Sequence, residues 1–529
     1  MLHRCDRYDD GPALRADRTL ALHASRLSLV SERTRTSRLS LSGGAITVAV
    51  GASLTRVASL AVTVALAHSL TRTDFGGYQQ LLLIVGIVSP LLLGGVPAAL
   101  TYFLARAGEE ADRRRFTCDA YLALSVLGLV FAALVVITRR PVADAVGNPD
   151  LVGALPLFAP YTLFTFIAAV MPSALITTGW AQRSAVMSAL AAFVSAAVMV
   201  PAGILAHDLV GVALALTISS AIGCGLSVAA VVKTIGLRLD WVGLVARARR
   251  FLGYGLPLAL VGVAGTLGYQ FDRLVVTSNF STDDFAIYAA GAVELPFVPI
   301  IQQSVNSVLL PELTRRYRDG DLRGVHELWR EAIRKTSLIL LPAFIFSLVL
   351  AGDIVAVLYG AQYERSTEVL RIYLLLLPIR VATYGLIPMA IGRPRINLAA
   401  SIVYLASNAL FALALVGPLG LVGPAVGTVL ADIAIVSFYL LRLRALLGSP
   451  VRSLFPWRVI VKNLGVSAAA GAVIVPFAVV DLPAFVALLC AGPLYVAACA
   501  LLMRQTGSIT DVDWTRIRHA ARQLGVSRR

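Results

Sequence analysis

Fourteen apolar stretches follow one another almost end to end through this chain, and arginines crowd every second gap between them. The stretches read as 44–68, 79–104, 117–137, 152–174, 184–206, 209–232, 251–277, 285–310, 332–352, 367–391, 396–416, 419–441, 459–480 and 482–503. A helix needs roughly 20 apolar residues to cross a hydrocarbon core about 30 Å thick, and each stretch meets that length. Only 14% of the residues are charged and 58% are hydrophobic, whereas a soluble domain carries roughly a quarter charged residues. Lipid must therefore be the solvent for most of the chain. Lipid leaves backbone polar groups no partner outside helices or closed barrels. The expected fold class is an all-α polytopic membrane protein of about 14 transmembrane helices.

The gaps fix the orientation. With the N-terminus placed in the cytoplasm, 38 Lys and Arg residues fall in the tails and cytoplasmic gaps. Only Arg72, Arg139, Arg140 and Arg365 fall in the opposite gaps. A missed or invented span in the middle would reverse every later gap, so the asymmetry predicts an even number of spans in a cell membrane with both termini cytoplasmic. The net charge of +16 then sets topology and gives no sign of nucleic-acid binding. The external gaps near 138–151 and 353–366 are too short for a catalytic domain. The cytoplasmic gap 311–331 carries Leu322, Val325, Leu328 and Trp329 at helical spacing, which predicts a helix lying on the membrane surface. Residues 1–43 are polar and rich in Arg and Ser, as expected of a disordered cytoplasmic tail.

The chain also repeats itself. Asp74-Phe75-Gly76-Gly77-Tyr78 matches Asp284-Phe285-Ala286-Ile287-Tyr288 at a shift of 210 residues. Leu209-Val210-Gly211-Val212-Ala213 matches Leu421-Val422-Gly423-Pro424-Ala425 at a shift of 212. Such a shift covers six spans and preserves topology, so the repeats are parallel, related by a pseudo-two-fold axis along the membrane normal. The expected organisation is an N-lobe at 44–232, a cytoplasmic linker at 233–250 and a C-lobe at 251–441. Two further helices at 459–503 and a cytoplasmic tail at 504–529 follow. Two lobes around an axis enclose a cavity that can open to either side, which is transporter architecture. Gly423-x-x-x-Gly427 suits close helix packing.

A few charges break the apolar pattern. Arg56, Arg273, Arg371 and Arg380 lie inside spans, with Asp272, Glu294 and Asp432. Each costs about 2.5–3.5 kcal/mol on insertion scales, so such groups face a wet cavity or a partner. Arg371 has Glu368 one turn away as a possible partner. Asp272 and Arg273 are adjacent, point about 100° apart on a helix, and either could snorkel to the interface. Arg380 stands nine residues beyond Arg371, and Pro378 could kink the helix between them. Glu294 precedes Pro296 and Pro299, which free backbone carbonyls for water or ions. The arginines fit an anion site, because a guanidinium keeps its charge and grips phosphate bidentately. Arg56, Arg273, Arg380 and Arg371 are the substrate-binding candidates. Asp272, Glu294 and Asp432 are the proton- or cation-coupling candidates, or else they only neutralise neighbouring arginines.

Several segments resemble one known family. They are Arg56, Thr73 to Tyr78, Gly94-Gly95-Val96-Pro97-Ala98-Ala99-Leu100, Tyr254-Gly255-Leu256-Pro257-Leu258, Asp272-Arg273, Val308 to Asp321, Gly360-Ala361-Gln362-Tyr363 and Gly420 to Ala425. Over about 45–505 the chain resembles the polysaccharide-biosynthesis (Wzx-like) flippases of the multidrug/oligosaccharidyl-lipid/polysaccharide exporter superfamily. The resemblance implies an alternating-access flippase, often driven by a proton or sodium gradient. The cargo would be a polyprenyl-pyrophosphate-linked oligosaccharide moving from the cytoplasmic to the outer leaflet. It implies arginines, here Arg56 and Arg273 by position, on the lipid pyrophosphate. The implied partners are membrane lipid, the lipid-linked glycan and the glycosyltransferases and polymerase of the same assembly line.

Two relatives and one enzyme class compete. The lipid II flippases carry more arginines in their first two spans, and the second span here has none. A drug/cation antiporter of the same superfamily should hold more acids than arginines in its spans. A membrane glycosyltransferase or polymerase should need a larger, acidic external loop; Asp511-Val512-Asp513 stands alone in the tail. No GxxxxGK[ST] motif, covalent-catalysis constellation, Cys/His cluster or cofactor motif is present, so the chain is expected to be no enzyme, without cofactor or metal.

Overall fold

A computed structural model of the chain describes residues 50–509 except 94, 449 and 481. The expected N-terminal tail, most of the C-terminal tail with its Asp-Val-Asp run, and Asp481 lie outside the described residues. All regular structure in the described residues is helical, and the described parts of the expected stretches lie mainly on it. Among the described residues eight helical stretches are long and apolar enough to cross a membrane. The others are broken or carry charge, and those breaks build the site.

In chain order the N-terminal half contains α1 (Val50–Ser69), α2 (Arg72–Leu93), α3 (Val96–Arg106), α4 (Glu110–Ile137), α5 (Leu151–Ala168), α6 (Ala181–Ala206) and α7 (Leu209–Thr234). The C-terminal half contains α8 (Leu244–Asn279), α9 (Thr282–Gly291), α10 (Phe297–Arg318), α11 (Leu322–Val349), α12 (Ser366–Leu374), α13 (Leu376–Ile379), α14 (Arg395–Leu419) and α15 (Gly423–Leu447). Two more, α16 (Trp457–Gly471) and α17 (Ala484–Gln505), close the chain against α11 and each other.

The repeat is visible in local chemistry. The Thr71 hydroxyl accepts the Asp74 amide at 3.1 Å and donates back to its carboxylate. Ser281 does the same with Asp284, 210 residues later. Both are capping boxes that start a helix at the same point of each half. Small residues then set equivalent crossings. Gly51 of α1 lies against Ala185 of α6, and Gly268 of α8 against Tyr404 and Leu405 of α14. Gly427 lies on the backbone of α14 at Ala412, the close approach expected of the Gly-x-x-x-Gly pair.

The halves meet along α2 and α3. At the end away from the basic gaps, the Thr73 hydroxyl donates to Asp283 at 2.6 Å, and Gly76 sits on the Thr282 carbonyl. Buried Gln80 ties α2 to Thr277 of α8 at 2.8 Å, while Asn148 donates to its amide oxygen at 2.7 Å. At the basic end Gly95 and Gly255 touch backbone to backbone. Tyr102 stacks on Tyr254 (4.3 Å between ring centres) and Phe103 on Phe251 (5.0 Å).

The expected surface helix is corrected. Residues 322–331 form the first turns of the 28-residue α11. Val325 and Trp329 are fully buried, and Trp329 meets Tyr384 and Phe455 edge-on. Of the apolar stripe that suggested a lipid surface, Val325 and Trp329 face protein, while Leu322 at its start is exposed. The linker region is also anchored: Arg247 forks onto Asp119 of α4 (2.6 and 3.2 Å), and Arg115 reaches Asp240 at 3.2 Å.

Candidate functional site

Two helix breaks converge in the C-terminal half. The chain leaves α9 at Gly291, where the Ala292 amide still donates to the Tyr288 carbonyl, and regular helix resumes only at Phe297, beside Pro296 and Pro299. After Pro378 and Ile379 the next helix starts only at Leu386, and Arg380 stands at that break. Non-helical backbone at membrane depth is tolerated where protein or a water-filled cavity covers it. A cavity of about 260 Å³ lies there, lined by Tyr269, Gln270, Arg273, Glu294, Arg380 and Tyr404 among others. Gly86 of α2 approaches Gln270, so the N-terminal half stands close by.

Arg380 bridges two carboxylates. Its Nη1 donates to Glu294 at 2.9 Å and its Nη2 to Asp432 at 3.1 Å. The guanidinium also faces the Tyr269 ring, 6.0 Å from its centre, and Tyr269 in turn meets Tyr404 at 4.8 Å. Its backbone carbonyl accepts from Gln302 of α10. The bonds span 52 and 86 residues of sequence, from α15 and from the α9–α10 break.

Arg273 lines the same cavity and donates from Nη2 to the Ala292 carbonyl at 2.6 Å. Its other N–H groups bond to no described residue. Asp272, its neighbour, is fully buried on the other side. It accepts from Tyr288 at 2.7 Å and from Tyr373, while its Oδ1 has no partner.

These positions correct several expectations. Asp272 and Arg273 do not snorkel, because tyrosines and a freed carbonyl hold them inside. Arg380 is no open anion site, because both its forks are taken by acids. Glu294 and Asp432 do neutralise an arginine, the plainer of their two expected roles. Arg371 is exposed on α12 and outside the cavity, and no ion pair joins it to Glu368. Arg56 is half-buried on α1, outside this cavity and in no ion pair with a described residue. The balance also changes. Four arginines faced three acids over all spans; at the cavity Arg273 and Arg380 stand with Glu294 in the lining and with Asp432 bonded to Arg380, two against two.

Sequence reasoning missed Tyr269, Tyr288, Tyr373 and Tyr404. They carry no charge to flag them, and only their depth inside spans set them apart. Among the described residues no cluster of His, Cys, Asp and Glu could hold a metal ion.

Residues 65–368 match the sequence profile of the family described as "Polysaccharide biosynthesis protein". The capsular polysaccharide biosynthesis protein CapF of Staphylococcus aureus is 23% identical over 210 residues, covering 39% of this chain and 53% of CapF. The probable lipid II flippase MurJ of Rhizobium meliloti (strain 1021) is 26% identical over 294 residues, 50% of this chain and 54% of that protein. The chain thus spans about half the length of the curated relatives it matches. Among solved structures, lipid II flippase MurJ in an inward closed conformation superposes with a TM-score of 0.72 at 16% identity, over 87% of this chain and 99% of the other. An inward-facing MATE multidrug transporter gives 0.61 at 17% identity, over 74% and 95%. The fold is that of these polytopic transporters, and the chain belongs to the family described as "Polysaccharide biosynthesis protein".

Proposed function

We propose that this protein is a flippase that carries a polyprenyl-pyrophosphate-linked oligosaccharide from the cytoplasmic to the outer leaflet by alternating access. The work is divided between lobes at 44–232 and 251–441, joined by the linker 233–250 and followed by helices at 459–503. Both termini face the cytoplasm. The single observation that carries the reading is the polar cavity at the broken α9–α10 segment and the Arg380 break, within a chain of this family. Arg273 has N–H groups to spare beside that cavity, and Arg56 has no acidic partner among the described residues. We assign the pyrophosphate to these two. Glu294, Asp432 and Asp272 are the groups through which an ion gradient would act.

Reconstitution tests the reading. Proteoliposomes loaded with a lipid-linked oligosaccharide should move it between leaflets, Arg56→Ala with Arg273→Ala should abolish movement at normal expression, and a pH or sodium gradient should change the rate. Movement unaffected by the double substitution overturns the site assignment. A second reading, a lipid II flippase, is favoured by the likeness to MurJ; lipid II and lipid-linked oligosaccharide offered together decide it by which is moved. The acids around Arg380 also favour a cation antiporter, which the same vesicles exclude if no organic cation is exchanged.

A further inference from the structure

We propose that the Tyr269–Arg380–Glu294 end of the cavity is a saccharide subsite that holds the sugar ring next to the lipid pyrophosphate and rejects an acidic one. The inference rests on the flippase reading and names the substrate chemistry of that same site. Four observations carry it.

The first is size. A cavity of about 260 Å³ falls just below the ~300–1,000 Å³ of ordinary ligand pockets. It has room for one ring. The second is the lining. Tyr269 is 57% exposed, and its ring lines the cavity beside the half-exposed Glu294. An open aromatic face suits the C–H face of a pyranose, and a carboxylate beside it accepts the ring's hydroxyls. One Glu294 oxygen is taken by Arg380; the other bonds to no described residue.

The third is an unpaired group. Tyr404 lines the cavity, is 1% exposed, and its hydroxyl has no hydrogen-bond partner among the described residues. A buried hydroxyl without a hydrogen bond is costly, and a sugar hydroxyl would satisfy it. The fourth is charge. Arg380 is matched by two carboxylates, so this end carries a formal excess of one negative charge. With Arg273 taken up by the pyrophosphate, a neutral ring pays no electrostatic penalty at this end, whereas a uronic acid meets like charge. Building repulsion against the wrong ligand is a common route to specificity.

The purified full-length chain in detergent, with binding followed by tryptophan fluorescence and thermal unfolding, supplies the test. The probes are methyl glucoside, methyl galactoside, N-acetylglucosamine and sodium glucuronate at matched ionic strength. At least one neutral probe should bind with a Kd on the order of millimolar, ordinary for a single ring. Glucuronate should bind at least tenfold more weakly, the factor set by about 1.4 kcal/mol. Tyr269→Ala should weaken the neutral probe about five- to tenfold, Tyr269→Phe should retain it, and Glu294→Gln should narrow the gap to glucuronate. If no neutral probe binds below 100 mM, or glucuronate binds as tightly as the neutral rings, the subsite is refuted. The same holds if both Tyr269→Ala and Glu294→Gln leave all affinities unchanged. Should Tyr269→Ala fail to fold, the Glu294→Gln comparison decides alone. Lost sugar binding with intact glycan movement removes only the subsite; intact sugar binding without glycan movement removes only the flippase.

Discussion

Replacing Arg380 by alanine probes an exposed and a buried ion pair at once, and the structure says which should matter. At 2.9 and 3.1 Å the two contacts have nearly equal Coulomb attraction, between about 5 and 6 kcal/mol each at an effective dielectric near 20. The difference lies in where the carboxylates sit. The Glu294 side chain is 43% exposed, and that of Asp432 8%. Without Arg380, water hydrates Glu294, and the loss on that side stays near the ~0–1 kcal/mol of an exposed pair. Asp432 is left buried and uncompensated, which costs about 3–5 kcal/mol. Arg380→Ala should therefore destabilise the protein by about 3–5 kcal/mol, and Glu294→Gln by no more than about 1 kcal/mol. Adding Asp432→Asn to Arg380→Ala should recover most of the loss, because the stranded charge is gone. Reversible unfolding in mixed micelles, followed by tryptophan fluorescence, measures all four. If Glu294→Gln costs as much as Arg380→Ala, or the double variant is no more stable than Arg380→Ala alone, the assignment of the buried pair is wrong.

Other substitutions test the frame around the site. A Cβ on Gly255 would stand 2.6 Å from the Gly95 carbonyl oxygen, so Gly255→Val should cost about 1–3 kcal/mol and slow transport; normal stability and transport would show that the crossing has slack. Trp329→Ala should cost about 3–5 kcal/mol in the same unfolding assay, since a surface-lying helix would lose far less. Asp119→Asn should loosen the linker and speed tryptic cleavage at Arg238, and an unchanged digestion pattern would refute the anchor. Arg315 and Arg316 bond the Glu312 carboxylate and hold its pKa at about 2. That contact contributes fully above the usual carboxylate range and is lost as pH falls through about 2. A carboxyl carbon shift titrating near 4.5 would contradict it.

The elements were legible because lipid enforces a simple code. Length and apolarity decide where helices fall, and the capping pairs Thr71–Asp74 and Ser281–Asp284 make the repeat readable in two short words. Arg273, Glu294 and Arg380 stood out because charge is costly in a span. Their sharing a cavity follows from two breaks that Pro296, Pro299 and Pro378 had signalled. Pairing was not legible. Nothing local relates Arg380 to Asp432, 52 residues away, and a count of charges over all spans therefore suggested an arginine-rich chamber. The stripe at Val325 and Trp329 misled for a related reason: periodicity shows that one face of a helix is apolar and is silent on whether lipid or protein covers it.

The seam between the halves gives the proposed cycle its energy scale. At the basic end, closure rests on Tyr102 against Tyr254, Phe103 against Phe251 and Tyr254, and Phe116 against Phe251. At the other end it rests on Phe75 against Tyr359 and Tyr363, the Thr73–Asp283 hydrogen bond, and Gln362 donating to the Ala67 carbonyl at 2.9 Å. Aromatic pairs contribute about 0.5–1.5 kcal/mol beyond burial, and net hydrogen bonds about the same. Each end therefore closes with a few kcal/mol, and neither dominates. Driving a two-state equilibrium from 1:99 to 99:1 takes about 5.5 kcal/mol of differential binding. A ligand that gains a buried hydroxyl bond to Tyr404, an aromatic face at Tyr269 and a guanidinium at Arg273 in one state only has interactions of the right size to choose which end opens.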